Sequence, residues 1–159
     1  MKPGDDLAAL STYTIAVAPD GVIWFGTDGA LIRYDSKNWK AYKPDELVDN
    51  RITCMTFAPD GALWLGTWRG IFRFDGKNWQ SFTDQEGLVK GSVTSIAAAP
   101  DGTFWFGFYD KGVLHFDGKT WFTYSNVDGL VNNTVQSLAI SPDGTLWFGT
   151  GTGVSHYSQ

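Results

Sequence analysis

An all-β fold is the class that the sequence predicts, and three observations lead to it. Aromatic residues make up 16% of the chain and glycines number 19, a combination typical of short strands joined by tight turns. A turn that runs into an aromatic strand, Pro-Asp-Gly-x-x-Trp, occurs four times. The tryptophans of these copies are 40, 41 and 42 residues apart, near the period of four-stranded β-propeller blades. They are Trp24, Trp64, Trp105 and Trp147.

Each repeat opens with an apolar strand, predicted over residues 13–18, 52–58, 93–99 and 135–141. Alanine, serine and threonine stand between the larger residues of these segments, which suits the crowded innermost strand of a blade. Pro-Asp-Gly then predicts a tight turn, because glycine supplies a positive φ and the aspartate carboxylate can accept a backbone N–H.

The second strand contains the repeated tryptophan and is apolar on both faces. In the first repeat Val22 and Trp24 lie on one face, and Ile23 and Phe25 lie on the other. Apolar residues on both faces indicate a strand packed between two neighbours rather than one that is half exposed. In a propeller those neighbours are the adjacent blades.

The third and fourth strands are predicted to follow as a hairpin. Asp-Gly-Lys at 75–77 and at 117–119 is a strong hairpin signal. The fourth strand mixes aromatic with polar residues, as an outermost strand should. Third strands are predicted at 31–34, 71–74, 113–116 and 154–157, and fourth strands at 39–42, 79–82 and 121–124. The last repeat has no predicted outer strand, so fifteen strands and no helix are expected.

These elements predict one β-propeller domain over residues 1–159, with four antiparallel blades at about 11–42, 51–82, 92–124 and 134–157. Four blades can close a ring alone. The alternative, which we favour, is a homodimer in which two chains build one eight-bladed ring. Such a dimer would cover the apolar faces of the first and last repeats, which would otherwise expose large hydrophobic patches.

Composition excludes some classes of protein. The net charge is -5, and a nucleic-acid-binding protein would instead need a basic surface to meet phosphates. Cys54 is the only cysteine, so no disulfide can form within the chain. No apolar run is long enough for a membrane span or a signal peptide.

The repeat resembles that of the two-component regulator propeller family. Residues 129–138 match the opening of that repeat and residues 144–150 match its centre, and the resemblance covers nearly the whole chain. It implies a bacterial sensor-type module that is periplasmic or extracellular and binds a ligand, often one derived from carbohydrate. The chain departs from the family in having only four repeats.

The repeat is also similar to that of the virginiamycin B lyase family. The resemblance implies chemistry that uses histidine and an acid near a metal on the ring axis. Here the two histidines, His115 and His156, stand at the repeat position held by Arg33 and Arg73. We therefore transfer no catalytic role, and lyase-like activity stays a less favoured alternative.

The four residues at that position allow two interpretations. They could form a polar ring for an anionic ligand, with the histidines as a metal pair. They could equally make a recurring structural contact on the third strand, for example to an aspartate of a turn, as a repeat-wide position normally does. We favour the structural interpretation and predict no catalytic residue, no metal and no cofactor. Cys54 is interpreted as a small buried side chain.

Positions that break the repeat are better candidates for function, because architecture does not require them. They lie between the second and third strands, on the face that also holds the loops between blades. Aromatic rings beside arginine, aspartate and asparagine suit a sugar or another small polar ligand. The candidates are Trp68, Arg69, Phe108, Tyr109, Asp110 and Lys111, joined by Asn50, Arg51, Asn132 and Asn133. A protein-interaction scaffold is the alternative.

Overall fold

The fold is described from a computed structural model, which covers residues 10–47, 50–82 and 90–158. These residues form four antiparallel sheets, each an up-and-down meander of consecutive strands. The first sheet contains β1 (Thr12–Val17), β2 (Ile23–Thr27), β3 (Leu31–Tyr34) and β4 (Trp39–Tyr42). The second contains β5 (Ile52–Phe57), β6 (Leu63–Thr67), β7 (Ile71–Phe74) and β8 (Trp79–Ser81). The third contains β9 (Val93–Ala98), β10 (Phe104–Phe108), β11 (Val113–Phe116) and β12 (Trp121–Tyr124). The last is β13 (Val135–Ile140), β14 (Leu146–Thr150) and β15 (Gly153–Tyr157).

The predicted all-β class, the strand order and the three-stranded last sheet are therefore confirmed. The prediction of no helix missed two short 3-10 helices, Asp45–Leu47 and Asn126–Asp128, which lie in the loops between blades. The second has a capping box, in which the backbone N–H of Ser125 donates to the Asp128 carboxylate at 2.9 Å.

The Pro-Asp-Gly turns have the predicted geometry. In each turn the aspartate Oδ1 accepts the backbone N–H two residues later, at 2.9–3.0 Å. The glycines have φ values of 80° to 87°, where a side chain would be strained. They are Gly21, Gly61, Gly102 and Gly144.

The innermost strands pack side by side along the chain, β1 against β5, β5 against β9 and β9 against β13. A threonine hydroxyl ties each of the last two of these pairs together. Thr53 Oγ1 is 2.5 Å from the Val93 carbonyl oxygen, and Thr94 Oγ1 is 2.6 Å from that of Val135. Each hydroxyl also lies 3.0 Å from a carbonyl oxygen of its own blade, so the two partners share one donor.

The repeated tryptophans fill the space between blades, as their regular spacing predicts. Trp105 is 2% exposed and packs between the third and fourth blades with Leu146 and Phe148. Trp64 and Trp24 are buried in the same manner one and two blades earlier, respectively. We call these three contact regions the seams. The second strands β6 and β10, which lie between two seams, are buried on both faces, and aromatic packing links every blade to the next.

The outer faces of the first and last blades have no such partner. Trp147 holds the repeat position of Trp105 but is 44% exposed. In the described parts of the chain, β13 and β1 do not pack against each other as the other innermost strands do. The exposed hydrophobic residues of these two faces, which we call the open flanks, are Ile15 and Val17 in the first blade and Trp147 and Val154 in the last.

Candidate ligand site on the loop face

The connections between second and third strands lie beside the starts of the innermost strands. The Trp68 N–H donates to the Arg51 carbonyl at 3.1 Å, and the Tyr109 N–H donates to the Ser92 carbonyl at 3.0 Å. Gly151 makes the same bond to Thr134 in the last blade, at 3.0 Å. The two sets of loops therefore share one side of the molecule, as predicted, and we call this side the loop face.

A threonine closes the loop after the second strand in three of the blades. The side chains of Thr27, Thr67 and Thr150 donate to the carbonyl three residues later, at 2.7–2.9 Å. The loop N–H of Ala30 or Gly70 donates back to the hydroxyl at 3.1 Å. The threonine at the end of the repeat motif is therefore a loop brace.

Phe108 replaces this threonine in the third blade, where the loop is one residue longer. Its N–H donates to the Gly112 carbonyl at 2.9 Å. Its ring is 1% exposed and packs in the seam between the second and third blades with Val93 and Phe106. Phe108 was predicted as a ligand contact, but the structure places its side chain in the core, away from solvent on the loop face.

Arg51 has the most specific surroundings on this face. Its guanidinium lies 3.9 Å from the centre of the Tyr13 ring and 4.0 Å from the centre of the Trp68 ring. Trp68 is 50% exposed, and Tyr13 is also exposed. The Nε atom of Arg51 is buried without a hydrogen-bond partner among the described residues. The rings of Tyr13 and Trp68 thus hold the Arg51 guanidinium in place by cation–π contact, and the Trp68 indole is half exposed to solvent.

Tyr109, Asp110 and Lys111 stand in the matching loop of the third blade. Tyr109 is 64% exposed. The Lys111 ammonium is 3.2 Å from the Asp110 carboxylate, an exposed ion pair that contributes little to stability. Arg69 is exposed next to Trp68. The structure therefore brings these predicted residues to the loop face.

None of the three asparagines is fully exposed. Asn50 is buried, and Asn132 and Asn133 are half-buried. Asn132 Oδ1 accepts the Thr134 N–H at 2.7 Å. The Asn133 amide accepts the Asn126 N–H at 2.7 Å and donates to the Asn126 side chain at 3.1 Å. Asn132 and Asn133 order the loop between the third and fourth blades, so ligand contacts from these two side chains would require that loop structure to change.

The arginines of the third strands make structural ion pairs. Arg33 lies 2.9 Å from the Asp35 carboxylate, and Arg73 lies 2.6 Å from that of Asp60. Both carboxylates belong to turns, which supports the structural interpretation of this position. The equivalent histidines stack on repeat tryptophans instead. The centre of the His115 ring is 4.0 Å from that of Trp105, and the centre of the His156 ring is 5.3 Å from that of Trp147.

The titratable groups are tuned by turns and burial rather than by a catalytic cluster. The backbone N–H of Asn38 and the Arg33 side chain hold the pKa of Asp35 at about 2, and the N–H of Asn78 does the same for Asp75. Burial lowers the pKa of His115 and raises that of the Cys54 thiol to about 12. A thiol with such a pKa is a poor nucleophile at neutral pH. In the ranges that the structure describes, no three His, Cys, Asp or Glu side chains are grouped to hold a metal ion.

Tyr13 is the loop-face residue that the sequence analysis missed. It lies in an innermost strand, at the position held by Thr53, Thr94 and Gln136. It breaks the repeat as clearly as Trp68 does, so a search for departures within the strands as well as the loops would have found it.

Comparison with known proteins identifies the repeat. The family model described as the two component regulator propeller matches residues 6–29, 46–69 and 129–152. Compared by sequence with curated proteins, the chain matches none of them. The matched ranges contain the Pro-Asp-Gly turn and the second strand of the first, second and fourth blades.

Solved propellers share the fold at low sequence identity. The extracellular domain of the putative one component system BT4673 from B. thetaiotaomicron is 21% identical, with a TM-score of 0.77, over 94% of this chain and 22% of that chain. The extracellular domain of the putative hybrid two component system BT3049 from the same organism is 21% identical, with a TM-score of 0.78, over 92% of this chain and 21% of that chain. Virginiamycin B lyase from Staphylococcus aureus is 18% identical, with a TM-score of 0.74, over 93% of this chain and 55% of that chain. This chain thus spans about a fifth of the sensor domains and about half of the lyase.

Proposed function

We propose that this chain, three of whose repeats match the two component regulator propeller model, is a non-catalytic, sensor-type module that binds a small polar or carbohydrate-like ligand on its loop face. One observation supports this most directly: the Arg51 guanidinium lies between the rings of Tyr13 and Trp68, and the Trp68 ring is half exposed. Tyr109 places a second exposed ring on the same face.

Sugars present apolar C–H faces and a rim of hydroxyl groups. An exposed indole offers the flat apolar area that such a face stacks on, and a guanidinium offers several N–H donors to the hydroxyl groups. Arg51 is already held between two rings, so binding would cost little side-chain entropy at that residue. Asp110 and Lys111 add an acceptor and donors beside Tyr109.

The test is a thermal-shift screen of mono- and oligosaccharides and other small polar compounds. We expect a saturable rise in Tm with at least one of them. Trp68→Ala is expected to weaken that binding about tenfold or more, as loss of an aromatic anchor does. Phe122→Ala is the matched control, since this ring is also exposed but lies on the outer strand β12, and it should leave affinity unchanged. No shift with any compound, or equal binding by Trp68→Ala, would count against the proposal.

A protein-interaction scaffold is the second candidate, and the same surface favours it. Tryptophan, tyrosine and arginine are the residues that most often dominate protein–protein interfaces. This function requires a partner protein whose binding is lost in Trp68→Ala while every small compound in the screen remains without effect.

We further propose that two chains pair through the open flanks to build an eight-bladed ring. At each seam within the chain, a second-strand glycine meets the first residue of the next innermost strand; Gly107, for example, faces Val135. Among the residues that the structure describes, Gly149 has no such neighbour from another blade, and Thr12 holds the repeat position of Val135 at the opposite flank. In a dimer the last blade of each chain would meet the first blade of the other. A two-fold axis along the ring centre would therefore form two such seams.

Mass in solution tests the pairing. We expect a species of twice the 17.5 kDa chain mass at micromolar concentration. Val17→Glu places a charge on the first flank and is expected to give monomers. Val127→Glu is the matched control, because Val127 is exposed in the 3-10 helix Asn126–Asp128 rather than on a flank. A wild-type chain that stays monomeric would overturn the dimer without affecting the ligand proposal.

The compartment and the absence of catalysis are proposed from the sensor domains. Those domains are described as extracellular, so we propose a periplasmic or extracellular location in a bacterium. No helix in the described part of the chain is long and apolar enough to cross a membrane. The likeness to virginiamycin B lyase concerns the fold, and His115 and His156 stack on the blade tryptophans rather than lining the loop face.

A further inference from the structure

The last blade has an outer strand edge with which no described residue pairs. In the first three blades the third strand pairs with a fourth, whereas β15 (Gly153–Tyr157) pairs only with β14. We call the unpaired side of β15 the open edge. An unpaired edge presents N–H and C=O groups that can receive another strand.

The complete blades show what covers this edge elsewhere. Each fourth strand begins with a tryptophan that stacks on the last aromatic residue of the third strand. The ring centres are 4.3–4.5 Å apart in the pairs Tyr34–Trp39, Phe74–Trp79 and Phe116–Trp121. Tyr157 holds the position of these third-strand aromatics in the last blade, and it is exposed.

A cleft of about 70 Å³ lies beside Tyr157, between the third and fourth blades. Its lining includes Trp105, Tyr124 and Phe148. Their counterparts one blade earlier are Trp64, Phe82 and Phe106. Those three rings surround Trp121, at centre-to-centre distances of 6.4, 5.3 and 5.6 Å. The cleft therefore has the position and the lining of a seat for a fourth-strand tryptophan.

Two further details support a missing aromatic strand at this edge. The Nε1 atom of Trp105 in the cleft lining is buried without a hydrogen-bond partner in the described ranges. At the other end of β15, Val154 holds the position of Val113, which lies opposite the last aromatic residue of its fourth strand, Tyr124.

We propose that the open edge binds an extended peptide segment that contains the pattern Trp-x-x-Tyr or Trp-x-x-Phe. The segment adds antiparallel to β15, with its tryptophan opposite Tyr157 in the cleft and its second aromatic opposite Val154. The pattern is that of the chain's own outer strands, Trp39 to Tyr42, Trp79 to Phe82 and Trp121 to Tyr124. Residues 1–9 contain no aromatic residue that could fill the cleft. This mode is strand addition, in which backbone hydrogen bonds give affinity and side-chain pockets give specificity.

A synthetic peptide with the sequence of residues 117–124, Asp-Gly-Lys-Thr-Trp-Phe-Thr-Tyr, tests the proposal. Titration into the ¹⁵N-labelled chain is expected to shift the Trp105 indole resonance and the amide resonances of β15 and to saturate below about 1 mM. The same peptide with its tryptophan replaced by alanine should bind about tenfold more weakly or worse.

Two aromatic residues of the last blade give matched protein variants. Tyr157→Ala removes the ring on which the incoming tryptophan stacks and should weaken binding about tenfold. Trp147→Ala removes an exposed ring from the opposite face of the same sheet, outside the cleft lining, and should leave affinity within about twofold. The folded state of each variant is checked by its Tm. Equal binding of the two peptides, no saturation, or shifts confined to the edges of β4, β8 or β12 would overturn the proposal. None of these results bears on the loop face.

Discussion

Trp64→Ala is expected to lower the free energy of unfolding by about 3–5 kcal/mol, the range for removing a large aromatic side chain from a core. Trp64 is buried between the second and third blades. Its ring lies within 4.7–6.4 Å, centre to centre, of five other aromatic rings, which would be left around a cavity. For a chain of this size the loss corresponds to a fall in Tm of roughly 6–20 °C.

Trp147→Ala is the matched control, since it removes the same side chain at the same repeat position. Trp147 lies on an open flank, so in a monomer its removal should cost about 1 kcal/mol or less. Urea unfolding of both variants, at a concentration where the chain is monomeric, measures the two costs. Equal losses would show that the last blade is packed on its outer face, contrary to the open flank described above.

Gly66→Ala is expected to lower the free energy of unfolding strongly, though less than Trp64→Ala does. A methyl group on Gly66 would lie 2.5 Å from Val93 Cγ1 in the next blade and would also meet the Cys54 sulfur. Both neighbours are held in strands, so the blades would have to move apart. Overpacking of this kind costs about 1–3 kcal/mol, and we expect the upper part of that range.

Gly149→Ala is the corresponding control. Within the described ranges its methyl group would meet only Ser137 of the same blade, whose hydroxyl can rotate away. Measured in the Val17→Glu background, where pairing of two chains is disrupted, it should change Tm by no more than about 2 °C. A loss as large as that of Gly66→Ala would contradict the assignment of this position to an open flank.

Most of the architecture could be predicted from the sequence, because the same pattern of turns and apolar strands occurs in each repeat. Pro-Asp-Gly and the glycine after the second strand fix the turns, and a strand apolar on both faces, such as that containing Trp64, must be covered twice. The short 3-10 helices were not predictable in this way. They lie in polar loops that differ between the repeats, where no periodic pattern of apolar residues exists.

The candidate site was harder to predict, because a departure from a repeat has two possible causes. Trp68 and Tyr109 depart from the pattern and are exposed, whereas Phe108 departs from it and fills the core beside Val93. The difference depends on the direction of the first side chain in the loop of the third blade, which is one residue longer. The local sequence does not determine that direction. The partnership of Tyr13 with Arg51 is a contact between neighbouring blades, so it required the arrangement of the blades as well as their strands.

The threonine hydroxyls that join innermost strands couple each blade only to its immediate neighbours. Thr53 connects the second blade to the third and Thr94 connects the third to the fourth, while Tyr13 and Gln136 stand at the equivalent positions in the first and last blades. The four blades then behave as a short one-dimensional array, in which the free energy of unfolding is a sum of terms for single blades and terms for neighbouring pairs. The last blade has one seam and three strands, so its amide protons should exchange with solvent through local opening well before those of the second and third blades.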